Sequence, residues 1–472
     1  MKQSIGRPFS ARPSALLLAL SAAAAAAVGL AACGGGNDNG SCHYTAQAIN
    51  VIGQTSFKTL VSGTSSTNVN GPQGSVGLYS PDGTAAGATL LVADTSNHRI
   101  LGFNGIPSSL NAAASFVIGQ DATDATKEFT ESNPGTSIST FPWFRRPSKV
   151  WIDSSGQYLV VADTGNNRVL IWPITLPFNS AGAIDPSQVA VLGQTDGVSG
   201  DTNQGGAISL KTLNQPTSAI IVDGKLVVAD RGNSRVLIWN NIPAPGTFAT
   251  PADIVLGQPD NSGTTGTSAT VDTFNNATQT YTLRFNQPSD VWSDGGELLI
   301  TDTGNNRVVY YGSFPSSFTQ QASNVLGVDK FGDTAPSAGS AGQSGFSSPW
   351  GVGSNGSDVF VGDTNNNRVL VFQGYLSSPS NDKAADYVYG QATFTNVTAD
   401  DPDQNGKTGD QRDDPNTNGV TAGTLHNPQG ITASTALNNA FITDTVNNRI
   451  IMQTITGNNG LYTAVTGSNP HD

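Results

Sequence analysis

Six times in this chain an aspartate is followed, five residues on, by an arginine. The pairs are Asp94 and Arg99, Asp163 and Arg168, Asp230 and Arg235, Asp302 and Arg307, Asp363 and Arg368, and Asp444 and Arg449. A carboxylate and a guanidinium held across a turn form a charge-assisted pair, and the carboxylate can also accept turn N–H groups. A catalytic centre is normally unique in its chain, whereas this pair recurs in register. It is therefore expected to fix a turn, and its arginines are not expected to form a binding patch. Gly165, Gly232 and Gly304 lie inside three of these turns and are expected to supply a positive φ, with Asn365 tolerating one in a fourth.

A second chemistry is legible once. Asp401, Asp403 and Asn405 precede Gly406 in the spacing D-x-D-x-N-G, and Asp414, Asn416 and Asn418 precede Gly419 as D-x-N-x-N-G. Alternating oxygen side chains before a glycine bend converge on a hard cation, so calcium is the candidate cofactor. Both stretches depart from the helix–loop–helix calcium pattern, with Arg412 and Leu425 at the twelfth position instead of Glu. The alternative is a solvated Asp/Asn-rich loop.

Histidine chemistry is sparse. His43, His98, His426 and His471 are the four histidines; His98 takes the place of an Asn in a repeated turn, and His426 lies beside a repeated proline. Both are expected to be tolerated substitutions and not metal ligands. No Ser-His-Asp set, phosphate-binding loop or dinucleotide signature appears, and no catalytic residue is assigned.

The elements that must position these residues also repeat. Apolar, β-branched runs flank each Asp/Arg turn, as in Val161–Ala162 before it and Val169–Trp172 after it. A second word, apolar-x-Gly-Gln, ends at Gln54, Gln120, Gln194, Gln258 and Gln391, with Val328 replacing the Gln once. A third is a proline before an apolar alternation: Pro72, Pro147, Pro216, Pro288, Pro349 and Pro428. The unit at Pro216 gives strand A at 218–222, a turn at Asp223-Gly224, strand B at 226–229, the Asp/Arg turn, strand C at 236–239 and strand D at 253–256. Four antiparallel strands in each of six units predict an all-β, six-bladed β-propeller.

The aspartates are 69, 67, 72, 61 and 81 residues apart, long for a blade, so loops must be inserted. The D-to-A connections carry much of that variation, at 18, 27, 22, 30, 21 and 37 residues, and emerge on the same face as the Asp/Arg turns. Variable loops on a rigid scaffold are where binding specificity usually sits. Trp172, Trp239, Tyr310 and Phe372 recur near the end of strand C and are expected between blades, whereas Phe141 to Phe144 lie in a variable loop, available to stack on a ligand or fold onto the rim.

The propeller is expected over residues 46–467, with 468–472 as a tail. The strand at 46–52 is expected to complete the sixth blade, and 461–467 competes for that place. Residues 1–32 form a targeting segment: Lys2, Arg7 and Arg12 precede a small-apolar run from Ala15 to Gly29, too short for a span of about 20 residues. Its end, Leu30-Ala31-Ala32-Cys33, resembles a bacterial lipobox. That implies lipidation of Cys33, with Gly34 favouring the outer membrane, or the periplasmic face of the envelope; the alternative is a plain secretory signal cleaved after Ala32 that leaves an unmodified thiol. Residues 33–45 read as a flexible tether, and Cys42, the other cysteine, has no disulfide partner if Cys33 is acylated. The formal charge is −13 and becomes −16 without the three basic residues before Cys33, because Lys+Arg falls from 22 to 19 against 35 acids. So acidic a surface argues against nucleic acid.

The repeated words, proline-x-x-apolar and then (V/I)-(A/T/G)-D-x-x-N-x-R-(V/I), resemble the NHL-repeat β-propellers over about residues 46–456. The resemblance implies the fold and leaves function open, since that group includes lyases, sensor domains and binding modules. Its amidating lyases use several histidines around a zinc, which this chain does not offer in the repeats. The expectation is a monomeric, lipid-anchored propeller that binds a protein or polysaccharide partner through its loop-rich face. The alternative is a lyase or hydrolase working in the central channel, which would show a unique cluster of acid, His or Tyr side chains at the channel mouth.

Overall fold

In the computed structural model the described residues fall in 50–54, 78–120, 134–174, 186–263, 272–333, 341–400 and 423–454, apart from scattered positions within them. They form six antiparallel four-stranded sheets, five with their strands in simple sequential order, arranged as a six-bladed β-propeller. Blade 3 illustrates the unit: strand A is Pro216–Val222, B is Lys225–Asp230, C is Arg235–Trp239 and D is Ile254–Leu256. Strand A of the other blades is Thr84–Ala86 (blade 1), Lys149–Ile152 (blade 2), Pro288–Ser293 (blade 4), Val352–Ser354 (blade 5) and Pro428–Ser434 (blade 6).

The sixth sheet joins the two ends of the repeat array. Asn50–Ile52 pairs antiparallel with Arg449–Thr454, so strand D of the last blade comes from the N-terminal side of the chain. Closure of this kind leaves no open seam where two unpaired strand edges would face solvent.

The A strands form a closed ring in which each touches the next around the channel. Between blades lies the core, as six separate apolar clusters, one at each interface. Leu91, Phe116, Val161 and Trp172 join blades 1 and 2; Ile52, Leu90, Phe441 and Ile450 join blades 6 and 1. Each B strand is covered on both faces, which is why Leu90–Asp94 and Val359–Asp363 are buried throughout and read as unbroken apolar runs. Trp172, Trp239, Tyr310 and Phe372 all lie in these clusters.

Three expectations change. The repeat proline of blade 1 is Pro81, not Pro72, which lies outside the described residues. Thr445 Oγ1 donates to the Pro81 carbonyl at 2.8 Å, as Thr95 does to Pro147 and Thr364 to Pro428 in the neighbouring interfaces. The first D-to-A connection is correspondingly longer. Phe144 is a core residue and not a ligand platform: it is fully buried against Gly119, in the slot that Phe285 fills against Gly257 and Phe346 against Gly327.

The third concerns the turn glycines. The left-handed residue of each turn is the one just before the Arg: His98, Asn167, Ser234, Asn306, Asn367 and Asn448, with φ between 51° and 58°. Gly165 instead donates its N–H to the Arg145 carbonyl at 2.7 Å and lies so close that a Cβ would strike that oxygen. Glycine is needed there for approach, and the positive φ of the repeat that does require glycine belongs to the Gly-Gln word, as at Gly257 with φ +82°.

Candidate functional site

The six Asp/Arg turns have one geometry. Each Arg Nε donates to Oδ2 of its Asp, at 2.8 Å for Arg99–Asp94, Arg307–Asp302 and 2.7 Å for Arg168–Asp163, Arg235–Asp230, Arg368–Asp363, with Arg449–Asp444 at 2.6 Å. The Asn three residues after the Asp donates to the same oxygen, as Asn166 does to Asp163 at 2.8 Å. Oδ1 accepts a backbone N–H from the D-to-A connection of its own blade, from Arg145 for Asp163 and from His426 for Asp444. These contacts place the connections and the turns on one face. Burial raises the pKa of Asp163, Asp230, Asp302, Asp363 and Asp444, opposed by the adjacent guanidinium and the N–H donors.

The remaining guanidinium nitrogens are spent on loop carbonyls: Arg235 reaches Gly263, Ser209 and Thr212. In blade 4 the partner is a carboxylate, Asp272, held by Arg307 at 2.5 and 2.9 Å at the start of a small hairpin, Thr273–Asn275 with Thr280–Thr282. With both partners out of solvent, none of the six arginines presents a charge to a ligand.

The turns are also tied to the next blade. Asn167 Oδ1 accepts the N–H of Gln215, and Asn306 Oδ1 that of Ser348. In the same role His98 Nδ1 accepts the N–H of Arg146 at 3.0 Å, so the histidine does the work of an asparagine. Burial and the neighbouring Arg146 and Arg145 lower its pKa. His426 differs: its Nδ1 lies 3.1 Å from Oδ2 of the buried Asp400, which raises the histidine pKa. Cys33, His43 and His471 lie outside the described residues, as do the calcium candidates Asp401, Asp403, Asn405, Asp414, Asn416 and Asn418. Among the described residues no group of three or more His, Cys, Asp or Glu side chains is placed to hold a metal.

What the repeats do not share gathers at the channel. The residue after the repeat proline is Asp82, Ser148, Thr217, Ser289, Trp350 or Gln429, and these six line a ring. Trp350 Nε1 donates past blade 6 to Asp82 Oδ1 at 3.0 Å, and Ser289 Oγ donates to the Trp350 carbonyl at 2.6 Å. One position deeper the ring reads Gly83, Lys149, Ser218, Asp290, Gly351 and Gly430. Here a Cβ at Gly351 would strike the Gln429 carbonyl, and one at Gly430 that of Asp82, so the absence of side chains lets the A strands of blades 5, 6 and 1 close up.

On the other side Lys149 reaches past blade 3 to Asp290, with Nζ 3.0 and 3.1 Å from its two oxygens. Asp290 also accepts the N–H groups of Val291 and Val352. Among the described residues no cation contacts Asp82 within ion-pair distance. Burial, reinforced by the Asp290 charge and opposed by Lys149, Ser148 and Trp350, raises its pKa to about 7.

Above the ring, on the face of the Asp/Arg turns, lies a cavity of ≈ 400 Å³, lined among others by Asp82, Arg146, Gln215, Arg231, Trp350 and Gln429. Arg231 stands where four of the other turns carry a threonine that donates to the next blade's proline carbonyl. Its guanidinium instead sits 5.0 Å from the Trp350 ring and donates to Gln287 Oε1 at 2.7 Å. Burial lowers its pKa and the Asp82 charge opposes that. Sequence reasoning missed Asp82, Lys149, Asp290, Arg231 and Trp350. Their signal was present as breaks in an otherwise regular repeat, inside strand A and the turns instead of in the loops.

No protein-family model matches the chain, and no curated relative matches it in sequence. Among solved structures it is similar to hydrazine synthase of Kuenenia stuttgartiensis, at 11% identity over 82% of this chain and 98% of that one, with a TM-score of 0.42. It is similar to an auxiliary nutrient binding protein of Bacteroides thetaiotaomicron at 11% identity over 79% of this chain and 69% of that one, TM-score 0.42. Virginiamycin B lyase of Staphylococcus aureus gives 9% identity over 80% of this chain and 96% of that one, TM-score 0.38. The fold rests on the six sheets themselves.

Proposed function

We propose that this chain is a binding propeller of the bacterial envelope, of the NHL-repeat type, tethered by lipid on Cys33 and engaging its partner at the face where the Asp/Arg turns and D-to-A connections meet. The observation that carries this reading is the cavity of ≈ 400 Å³ at the centre of that face. Its lining comes from several blades, so a partner group entering it is recognised by side chains that a rigid ring holds in place. Calcium bound through Asp401, Asp403, Asn405, Asp414, Asn416 and Asn418 would order the longest connection. Replacing 121–133 and 401–422 by short Gly/Ser linkers is expected to abolish capture of the partner from solubilised envelope while leaving the unfolding transition intact. Undiminished capture by every such variant would refute the proposal.

A second reading is favoured by Asp82. A carboxyl with its pKa raised to about 7, buried beneath a cavity, is suited to general acid or base work in a channel lyase or hydrolase. Structural charge networks perturb carboxyls in the same way, and Lys149 with Asp290 forms such a network beside it. The enzyme reading requires that Asp82→Asn retain ligand affinity and lose turnover.

A further inference from the structure

Resting on the channel mouth as the binding site, the chemistry of its ligand follows from the charges that line it. The chain as a whole is strongly acidic, with a formal charge of −13. The cavity is not: among the described residues its charged lining is Arg146, Arg231 and Asp82. Lys149 and Asp290 lie deeper and neutralise one another at 3.0 Å. Arg231 interrupts a turn whose usual residue is threonine, and its Nε is buried with no hydrogen-bond partner. The guanidinium lines the cavity beside the Trp350 ring, 5.0 Å from its centre. The rest of the lining is hydroxyl and amide: Ser80, Ser96, Gln215, Thr217 and Gln429. These groups pair with the hydroxyls of a sugar, and among the described residues the indole of Trp350 gives an aromatic edge.

We propose that the channel mouth binds the carboxylate of a small acidic sugar between Arg231 and Arg146, with its hydroxyls on the surrounding ring. A planar guanidinium pairs well with a carboxylate, and partial desolvation in the cavity strengthens the contact. The anion also lies near Asp82, whose carboxyl then favours its neutral form. Among the described residues Asp290, Lys149 and Arg231 act on Asp82 and Arg146 shares its cavity, and Asp82 takes up a proton from solvent when the ligand binds near pH 7.

The test is calorimetric titration of the full chain with D-galacturonate and with D-galactose, in two buffers of different ionisation heat. Galacturonate is expected to bind at least about tenfold more tightly, the factor for about 1.4 kcal/mol, with net proton uptake and weaker binding as pH rises above about 7. Arg231→Thr is the decisive variant, because it installs the residue found in the other turns and so preserves the fold. It should lower galacturonate affinity about tenfold or more and so remove most of the preference over galactose.

Equal binding of the two sugars, or full galacturonate affinity in Arg231→Thr, overturns the inference. Binding of an acidic peptide in place of the sugar overturns it as well. If galacturonate fails while the partner still cross-links to the turn face, the ligand chemistry is wrong and the binding-propeller reading stands.

Discussion

Replacing Asp82 by Asn should make the protein more stable at alkaline pH and progressively less distinct from the parent as pH falls. The native carboxyl keeps its proton up to about 7, whereas in the unfolded chain it titrates near the ordinary value of 3.8. Between those values the native state binds more protons than the unfolded one, so this group's contribution to stability declines as pH rises. Linkage over that interval gives a loss of about 2.5 kcal/mol between about pH 5 and pH 8. Asn cannot ionise, and its amide oxygen can still accept the Trp350 Nε1 hydrogen bond seen at 3.0 Å. The buried aspartates of the Asp/Arg turns titrate in both proteins and cancel in the comparison.

Urea unfolding of both proteins, followed by tryptophan fluorescence at the two pH values, measures the difference directly. The Asn variant should gain about 2.5 kcal/mol on the parent across that interval. A difference that stays flat, or one that grows toward acid pH, would show that Asp82 is ionised in the native channel and refute the reasoning.

Other outcomes follow from the same contacts. Arg168→Ala strands Asp163 in a site from which solvent is excluded, and should cost about 3–5 kcal/mol in the same unfolding assay; a loss below about 1 kcal/mol would place the turn on the surface. Calcium at about 1 mM, an affinity range typical of extracellular sites, should raise the melting temperature, and Asp401→Asn combined with Asp414→Asn should remove the rise; identical melting curves with calcium and with chelator would count against the calcium loop. Cys33→Ser should shift the exported protein from the membrane to the soluble envelope fraction, and unchanged membrane partition would contradict the lipid anchor.

The fold was legible because each blade solves the same problem with the same residues. An Asp to collect N–H groups, an Arg to span the turn, and a Gly-Gln word whose Gln reaches back to that turn, as Gln194 does to the Asn167 carbonyl at 3.1 Å, leave a period that chance would not produce. Blade 1 hid part of that period. Its strand A, Thr84–Ala86, is built of small residues, so the proline before it gave no apolar alternation and Pro72 was the more visible choice. The left-handed turn position was obscured for a related reason: Asn, Ser and His hold it through side chains that bond the next blade, while the glycine beside it answers to close packing.

The site was harder to read. Lys149 and Asp290 are far apart in the sequence and meet because their blades lie either side of blade 3 around the channel. Arg231 and Trp350 become neighbours only once the ring closes. Each is a departure from its own repeat position, and comparing the copies column by column would have exposed these four, whereas Asp82 stayed hidden behind the choice of Pro72. Loop length drew attention to the D-to-A connections, whereas the residues that line the cavity depart from the repeat inside strand A and the turns.

Site-specific cross-linking tests most directly whether the partner engages the turn face. A photoreactive residue at Ser96, which lines the mouth, and one at Ser357, in the A–B turn of blade 5 at the other end of the channel, sample the two faces of the propeller. Irradiation in the intact envelope should give adducts from position 96 and none from position 357. Adducts from position 357 alone would place the partner on the opposite face and contradict the account.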